Sequence, residues 1–200
     1  MYKRQFQNRR NVDNEVYILQ SHRLMSEVVK RLHLTVNYSV REGLRTADLY
    51  GRSPIEVDFI NDNSKQKLSL EVTPLRNGKI ELTDFEDKFV TRQETKRVIL
   101  AEYGDTVATP VGQVVVHKTL FMDSTYLKKP ITVIKNSLAA TTNAYRAAVK
   151  SDVANKQASI VTISMNNSVP RRAEDVINTL IAVYEEDAIA DKRQLSVVTA

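Results

Sequence analysis

The stretch from Ser168 to Ala200, SVPRRAEDVINTLIAVYEEDAIADKRQLSVVTA, restricts the fold more than any other in this chain. Ala173, Val176, Ile177, Leu180, Ile181, Tyr184 and Ala188 recur at the i, i+3, i+4, i+7 spacing that gathers side chains on one side of a helix. A helix with such a face has to cover it against something. Ser168 has the hydroxyl that accepts from the orphan amides of a first turn, so it is the expected N-cap. Pro170 suits the position just inside, because its φ is already helical and its missing N–H would have no partner there. Arg171, Arg172, Glu174, Asp175, Glu185, Glu186 and Asp187 form the opposite, solvent-facing side. Asp191, Lys192 and Arg193 follow with no Gly or Pro, so the pattern predicts a helix still running at Ala200.

A lone helix cannot bury its own face, and the rest of the chain must supply the partner. Two hundred residues with 42% hydrophobic and 26% charged content suffice for one folded domain with a core, with no need of a metal or a staple. We expect residues 1–200 to form that single domain, with about 60–100 as a hairpin insertion. The chain has no cysteine, which excludes disulfides, thiolate metal sites and a cysteine nucleophile. No run reaches the length of a spanning helix, and the basic N-terminus, MYKRQFQNRRNVDNE, lacks an apolar stretch behind it, so the chain reads as soluble and uncleaved. The net charge of +5 invites a nucleic-acid reading, but 24 acids are interleaved with 29 bases and no arginine stripe carries aromatics between its charges. The one local excess is Lys3, Arg4, Arg9 and Arg10.

Along the chain, Asn11 or Asp13 can cap a first helical segment through Val12, Val16 and Leu19. Ser21 reads as a second start, since Leu24, Met25, Val28, Val29 and Leu32 follow at helical spacing. Thr35 to Val40 turns to β-branched and aromatic residues, a strand. Ile55, Val57 and Phe59 alternate with acids, and Leu68, Leu70 and Val72 lead through Asn77-Gly78 to Ile80 and Leu82. Asn-Gly between alternating runs predicts a tight hairpin in which both residues take positive φ. Phe85 to Glu102 reads as a loop passing into a strand; Val114 to Val116, Ile131 to Ile134 and Ser159 to Met165 read as further strands. Ser137 is placed to cap a helix reaching Val149. The order predicts an α+β fold with helices packed on one face of a mostly antiparallel sheet.

No phosphate-cradling glycine loop and no G-x-S-x-G elbow occurs. His22, His33 and His117 are not spaced as helical metal ligands. Glu185 and Glu186 sit on the expected wet face, where water relieves their repulsion. No catalytic residue, cofactor or metal is therefore expected, although a pair of carboxylates assembled from distant segments would be invisible at this level.

Four stretches taken together resemble one family: NEVYILQSHRLMSEVVKRLHLTVNY (Asn14 to Tyr38), DLYGRSPIEV (Asp48 to Val57), EYGDTVATPVGQVVV (Glu102 to Val116) and SIVTISMNNSVPRRAEDVINTLIAVYEEDAIADK (Ser159 to Lys192). Their order and spacing are similar to the periplasmic domain of the chain-length determinants, or polysaccharide co-polymerases, especially the branch joined to capsular and exopolysaccharide tyrosine autokinases. In that family a Glu, two apolar residues and a Ser open the first helix, matched by Glu15, Ile18, Leu19 and Ser21. A pattern of Pro, Ala, Asn, Leu and Tyr opens the return helix, matched by Pro170, Ala173, Asn178, Leu180 and Tyr184. The likeness is weakest from Asn61 to Arg97.

The resemblance implies a periplasmic domain held between two transmembrane helices, one before Met1 and one beyond Ala200, and in the kinase branch a cytoplasmic tyrosine autokinase domain. It implies no enzyme activity in these residues. The expected role is regulation of polysaccharide chain length or export by a homo-oligomer in the inner membrane, with the polymerase, the export machinery and the polysaccharide as partners and no nucleic acid. Arg171, Arg172, Glu174, Glu185 and Glu186 are the candidate subunit interface. A carbohydrate-binding or carbohydrate-processing domain is the alternative from the enzyme class, and a nucleic-acid-binding module is a third.

Overall fold

The computed structural model describes residues 14–60, 66–88, 90–153 and 160–198, with side chains through Ala190. The fold is α+β, and every strand pairing among the described residues is antiparallel. The chain divides into two compact units, one of residues 35–137 and one of residues 1–34 with 138–200.

The central unit, 35–137, holds two sheets. Strands β1 (Val36–Glu42), β2 (Arg45–Asp48), β4 (Leu68–Pro74), β5 (Lys79–Glu86), β6 (Ile99–Glu102) and β9 (Ile131–Lys135) form a six-stranded sheet in the order β2-β1-β9-β4-β5-β6. The second sheet runs β3-β8-β7, from β3 (Ile55–Ile60), β7 (Thr106–Thr109) and β8 (Gly112–Lys118). The helix α3 (Arg92–Thr95) is a single turn. One core joins both sheets, with Leu70, Val72, Ile80, Leu82, Phe85, Ile131 and Val133 from the first meeting Ile55, Val57, Val114 and Val116 from the second. Alternation explains β4, where Leu68, Leu70 and Val72 are buried and Ser69, Glu71 and Thr73 are not. Strands β4, β5 and β6, between Leu68 and Glu102, lie side by side in the six-stranded sheet.

The Asn77-Gly78 hairpin forms, with a different turn from the one expected. Leu75 and Lys79 close it through a 2.9 Å bond from the Leu75 N–H to the Lys79 carbonyl, leaving a three-residue loop. Gly78 is in the left-handed region at φ 80°, whereas Asn77 is not among the positive-φ residues. Asn77 instead turns its Oδ1 to accept from the Lys79 N–H at 3.1 Å, and the single left-handed Gly completes a three-residue connection. Further along, β5 gains one residue on β4 between Ser69 and Glu71, a β-bulge at which Asp84 takes φ 49°.

The other unit is mainly helical: α1 (14–19), α2 (His22–Arg31), α4 (Leu138–Ala148) and α5 (Pro170–Val198), with a hairpin of β10 (Val149–Val153) and β11 (Val161–Met165). Helix α2 packs against α4 and α5, while α4 adjoins β10 and α5 adjoins β11. The expected second helix start at Ser21 is present, and its hydroxyl accepts from the Leu24 N–H at 3.3 Å. The expected caps of the first helix, Asn11 and Asp13, lie outside the described residues. Helix α2 ends in a Schellman motif: the His33 N–H bonds the Lys30 carbonyl, the Leu34 N–H bonds the Val29 carbonyl, and His33 takes φ 50°. Val149, expected as the end of the helix capped at Ser137, is the first residue of β10 instead. The strand expected from Ser159 to Met165 is present from Val161, with Val161, Ile163 and Met165 half-buried and Thr162 and Ser164 exposed; Ser159 lies outside the described residues.

Helix α5 begins one residue later than Ser168 as N-cap would place it. The Val169 carbonyl accepts from Arg172 and Ala173, Pro170 is the first helical residue, and Asn167 Oδ1 receives the Val169 N–H at 2.9 Å. Asn167 therefore organises the turn, and Ser168 is exposed.

Candidate functional site

The face of α5 that the helical unit covers is narrower than the apolar pattern and shifted from it. Val176 and Leu180 are fully buried and Val183 nearly so, while Ile181 is exposed. Arg172 corrects the expected solvent face, because it too is buried, at 7% exposure. Residues 172, 176, 180 and 183 lie at i, i+4, i+8 and i+11, so its stem runs in the same stripe as the apolar residues.

The remaining candidate interface residues separate into two groups. Arg171, Glu174 and Glu185 are exposed, with Arg171 4.0 Å from Asp175 one turn on. Glu186 is engaged within its own unit, where both its oxygens accept from the Arg31 guanidinium of α2 at 2.9 and 2.7 Å. Next to it, Asp187 receives both guanidinium nitrogens of Arg23. These pairs line an open groove of about 850 Å³ between α2 and α5, whose walls include His22, Ser26, Glu27, Lys30, Val183 and Ala190. Arg31 also reaches Glu27 at 3.1 Å on its own helix. Sequence reasoning missed this seam, because Arg23 and Arg31 lie 164 and 155 residues from the acids they pair with.

The groove's electrostatics suit fastening rather than proton transfer. Hydrogen bonding to Arg31 holds the Glu186 carboxyl below its ordinary range, and Arg23 does the same to Asp187. A general acid needs the opposite, a carboxyl whose affinity for its proton is raised. Among the described residues, no group of three or more His, Asp or Glu side chains is placed to hold a metal ion.

A second seam joins the two helix-opening patterns. The Tyr184 hydroxyl of α5 donates to the Glu15 carboxylate of α1, and that bond, with some burial, pushes the phenol up to about 12. Leu19 and Leu180 are both buried. At the joint between α1 and α2, Arg146 Nε donates to the Gln20 carbonyl at 2.9 Å and the Gln20 amide donates to the Ser151 carbonyl at 3.3 Å. Of the two patterns, Glu15, Leu19, Ser21, Pro170, Leu180 and Tyr184 thus hold structural positions in one unit, Ala173 is half-buried, and Ile18 and Asn178 are exposed.

Compared with known proteins, the chain matches no family model, and no curated protein matches it. Among the described residues, no helix is long and apolar enough to cross a membrane.

Proposed function

We propose that this chain is the periplasmic domain of an inner-membrane polysaccharide co-polymerase. In this reading it regulates the chain length or export of a capsular, exo- or O-antigen polysaccharide by assembling with copies of itself, without chemistry of its own. The observation that carries the proposal is the Tyr184–Glu15 hydrogen bond. Two residues from patterns that resemble that family, 169 positions apart, meet in one unit, so each pattern has a physical reason to accompany the other. The exposed Arg171, Glu174 and Glu185 remain available for contact between subunits, and Arg172 and Glu186 leave that set because the helical unit uses them. A carbohydrate-processing reading would require an acid with a raised proton affinity in a cleft, whereas the groove acids Glu186 and Asp187 are held low.

The test is deletion of the coding sequence in its native bacterium, followed by gel electrophoresis of the surface polysaccharide. A lost or altered length distribution, restored by the intact gene, is the expected result. Unchanged polymer in both length and amount overturns the proposal. The reading frame on either side adds a check, since each flank is expected to encode an apolar stretch of about twenty residues.

A further inference from the structure

Register aligns Val40, Ile131, Val72, Leu82 and Ile99 across the central unit's six-stranded sheet. Beyond that line, at one end, stand the β1–β2 turn, residues 128–130 before β9 and the β4–β5 turn. The opposite end carries the chain's way in and out of the unit, where the Asn136 N–H donates to the Thr35 carbonyl at 2.8 Å. Residues 119–130, which connect β8 to β9, are fastened at the first end on both sides. Lys118 lies 4.4 Å from the centre of the Tyr103 ring, directly after β6, and the Lys128 N–H donates to the Pro74 carbonyl at 2.8 Å.

This end presents three large apolar side chains outward. Leu44 in the β1–β2 turn is 100% exposed, Leu120 is 102% exposed and Phe121 is 52% exposed. The last two are held out rather than left loose. Thr119 donates its N–H to the Pro54 carbonyl and its hydroxyl to the Ser53 carbonyl, and accepts from the Phe121 N–H at 3.1 Å. The Met122 N–H returns to the Thr119 carbonyl, so Leu120 and Phe121 occupy the corners of a turn. Single exposed leucines are ordinary on protein surfaces; a set on tethered loop tips at one end marks a contact site.

Charge chooses the partner. Arg41 and Arg45 flank Leu44, Arg76 is in the β4–β5 turn, and Lys128 and Lys129 close the 119–130 connection, all exposed. Exposed Lys79 and Lys118 stand here too, and the acids at this end are Glu42, Glu81, Glu102, which pairs with Lys79 at 3.5 Å, Asp105, and Asp123, which accepts from the Thr125 N–H and hydroxyl. Outward apolar tips within a rim whose bases outnumber its acids match a surface that is apolar beneath an anionic layer. We propose that this end of the central unit docks on an anionic lipid headgroup layer, with Leu44, Leu120 and Phe121 entering the interface and Arg41, Arg45, Arg76, Lys128 and Lys129 pairing with lipid phosphates. The proposal does not depend on the co-polymerase reading.

Co-sedimentation of the full chain with phosphatidylcholine vesicles, with and without phosphatidylglycerol, tests it. Lys3, Arg4, Arg9 and Arg10 stay in every variant, so they contribute equally throughout. Binding is expected to vesicles containing phosphatidylglycerol and to fall as salt rises. Lys128→Gln with Lys129→Gln is expected to weaken it about 30-fold, near fivefold per charge. Leu120→Ser with Phe121→Ser is expected to weaken it about tenfold or more per side chain. All four positions are exposed, and unchanged circular dichroism checks that both double variants fold. No binding to phosphatidylglycerol vesicles overturns the proposal, as does binding that both double variants retain. Tight binding to soluble dextran sulfate that survives loss of Leu120 and Phe121 also overturns it, in favour of a polyanionic polymer.

Discussion

The Arg31 guanidinium of α2 grips the Glu186 carboxylate of α5 through two parallel hydrogen bonds of 2.9 and 2.7 Å. Arg23 and Asp187 repeat the arrangement two helical turns away on α2, so two charge clamps close one seam. Bidentate geometry makes the seam directional, because only one register of α2 on α5 brings both forks to both carboxylates.

Acid should open this seam. Glu186 and Asp187 have folded-state pKa values depressed below their unfolded ones, so their stabilisation is present above the ordinary carboxylate range and is lost as pH falls through the lower folded values. Hydrogen exchange of α2 and α5 is expected to speed up below that range and to remain slow at neutral pH. Glu186→Gln with Asp187→Asn should remove most of this pH dependence. An equally steep dependence in the double variant would mean that other carboxylates control it.

Glu71 should behave in the opposite sense. Burial first, then the Asp84 charge at the β-bulge, raises its carboxyl above the ordinary range, although the Thr132 hydroxyl at 3.2 Å favours the charged form. A carboxyl with a raised folded pKa costs stability that builds as pH rises through its unfolded value and is complete above the folded one. Glu71→Gln is therefore expected to raise the melting temperature at neutral pH and to change little at acid pH, as thermal denaturation at two pH values would show.

His33 occupies the left-handed position that ends α2, where a Cβ costs about 1–2 kcal/mol relative to Gly. His33→Gly is expected to stabilise the helical unit by about 0.5–1 kcal/mol, part of the relief being offset by the greater freedom of Gly in the unfolded chain. Urea denaturation followed by circular dichroism measures it, and a lower midpoint would contradict it.

Core deletions should be far more damaging than any of these. Leu180 and Phe85 are both fully buried, one in each unit. Leu180→Ala is expected to cost about 2–5 kcal/mol and Phe85→Ala about 3–5 kcal/mol in denaturant titrations. Loss below about 1 kcal/mol at either site would contradict the packing described.

Tyr38 and Tyr184 should both ionise late, at about 12. Tyr38 is raised mainly by burial, although its hydroxyl accepts from the Val57 N–H at 2.9 Å; Tyr184 is raised mainly by its bond to Glu15. In an ultraviolet titration, Tyr184→Phe should remove one late-ionising group, and Glu15→Gln should shift Tyr184 downward.

The sequence by itself determined much of the local structure, because the determinants are local. The alternation in Leu68, Leu70 and Val72, the hydroxyl of Ser21 and the fixed φ of Pro170 act over a few residues and need no distant partner. Even here, close competition between neighbours escaped the reading. Asn167 outdid Ser168 at the start of α5, and Asn77 used its side chain instead of a left-handed backbone. The tertiary structure alone decided which face of α5 is covered. Helical periodicity spreads apolar residues over a wide arc, and only contact with its neighbours selects the stripe that buries Arg172 and Val183 and leaves Ile181 outside. It also decided the clamps, since Arg23 and Arg31 lie more than 150 residues from their acids and nothing local links them. Short strands such as β2, β7 and β10 were missed for the same reason, as four or five residues become a strand only when a neighbouring strand satisfies their backbone groups.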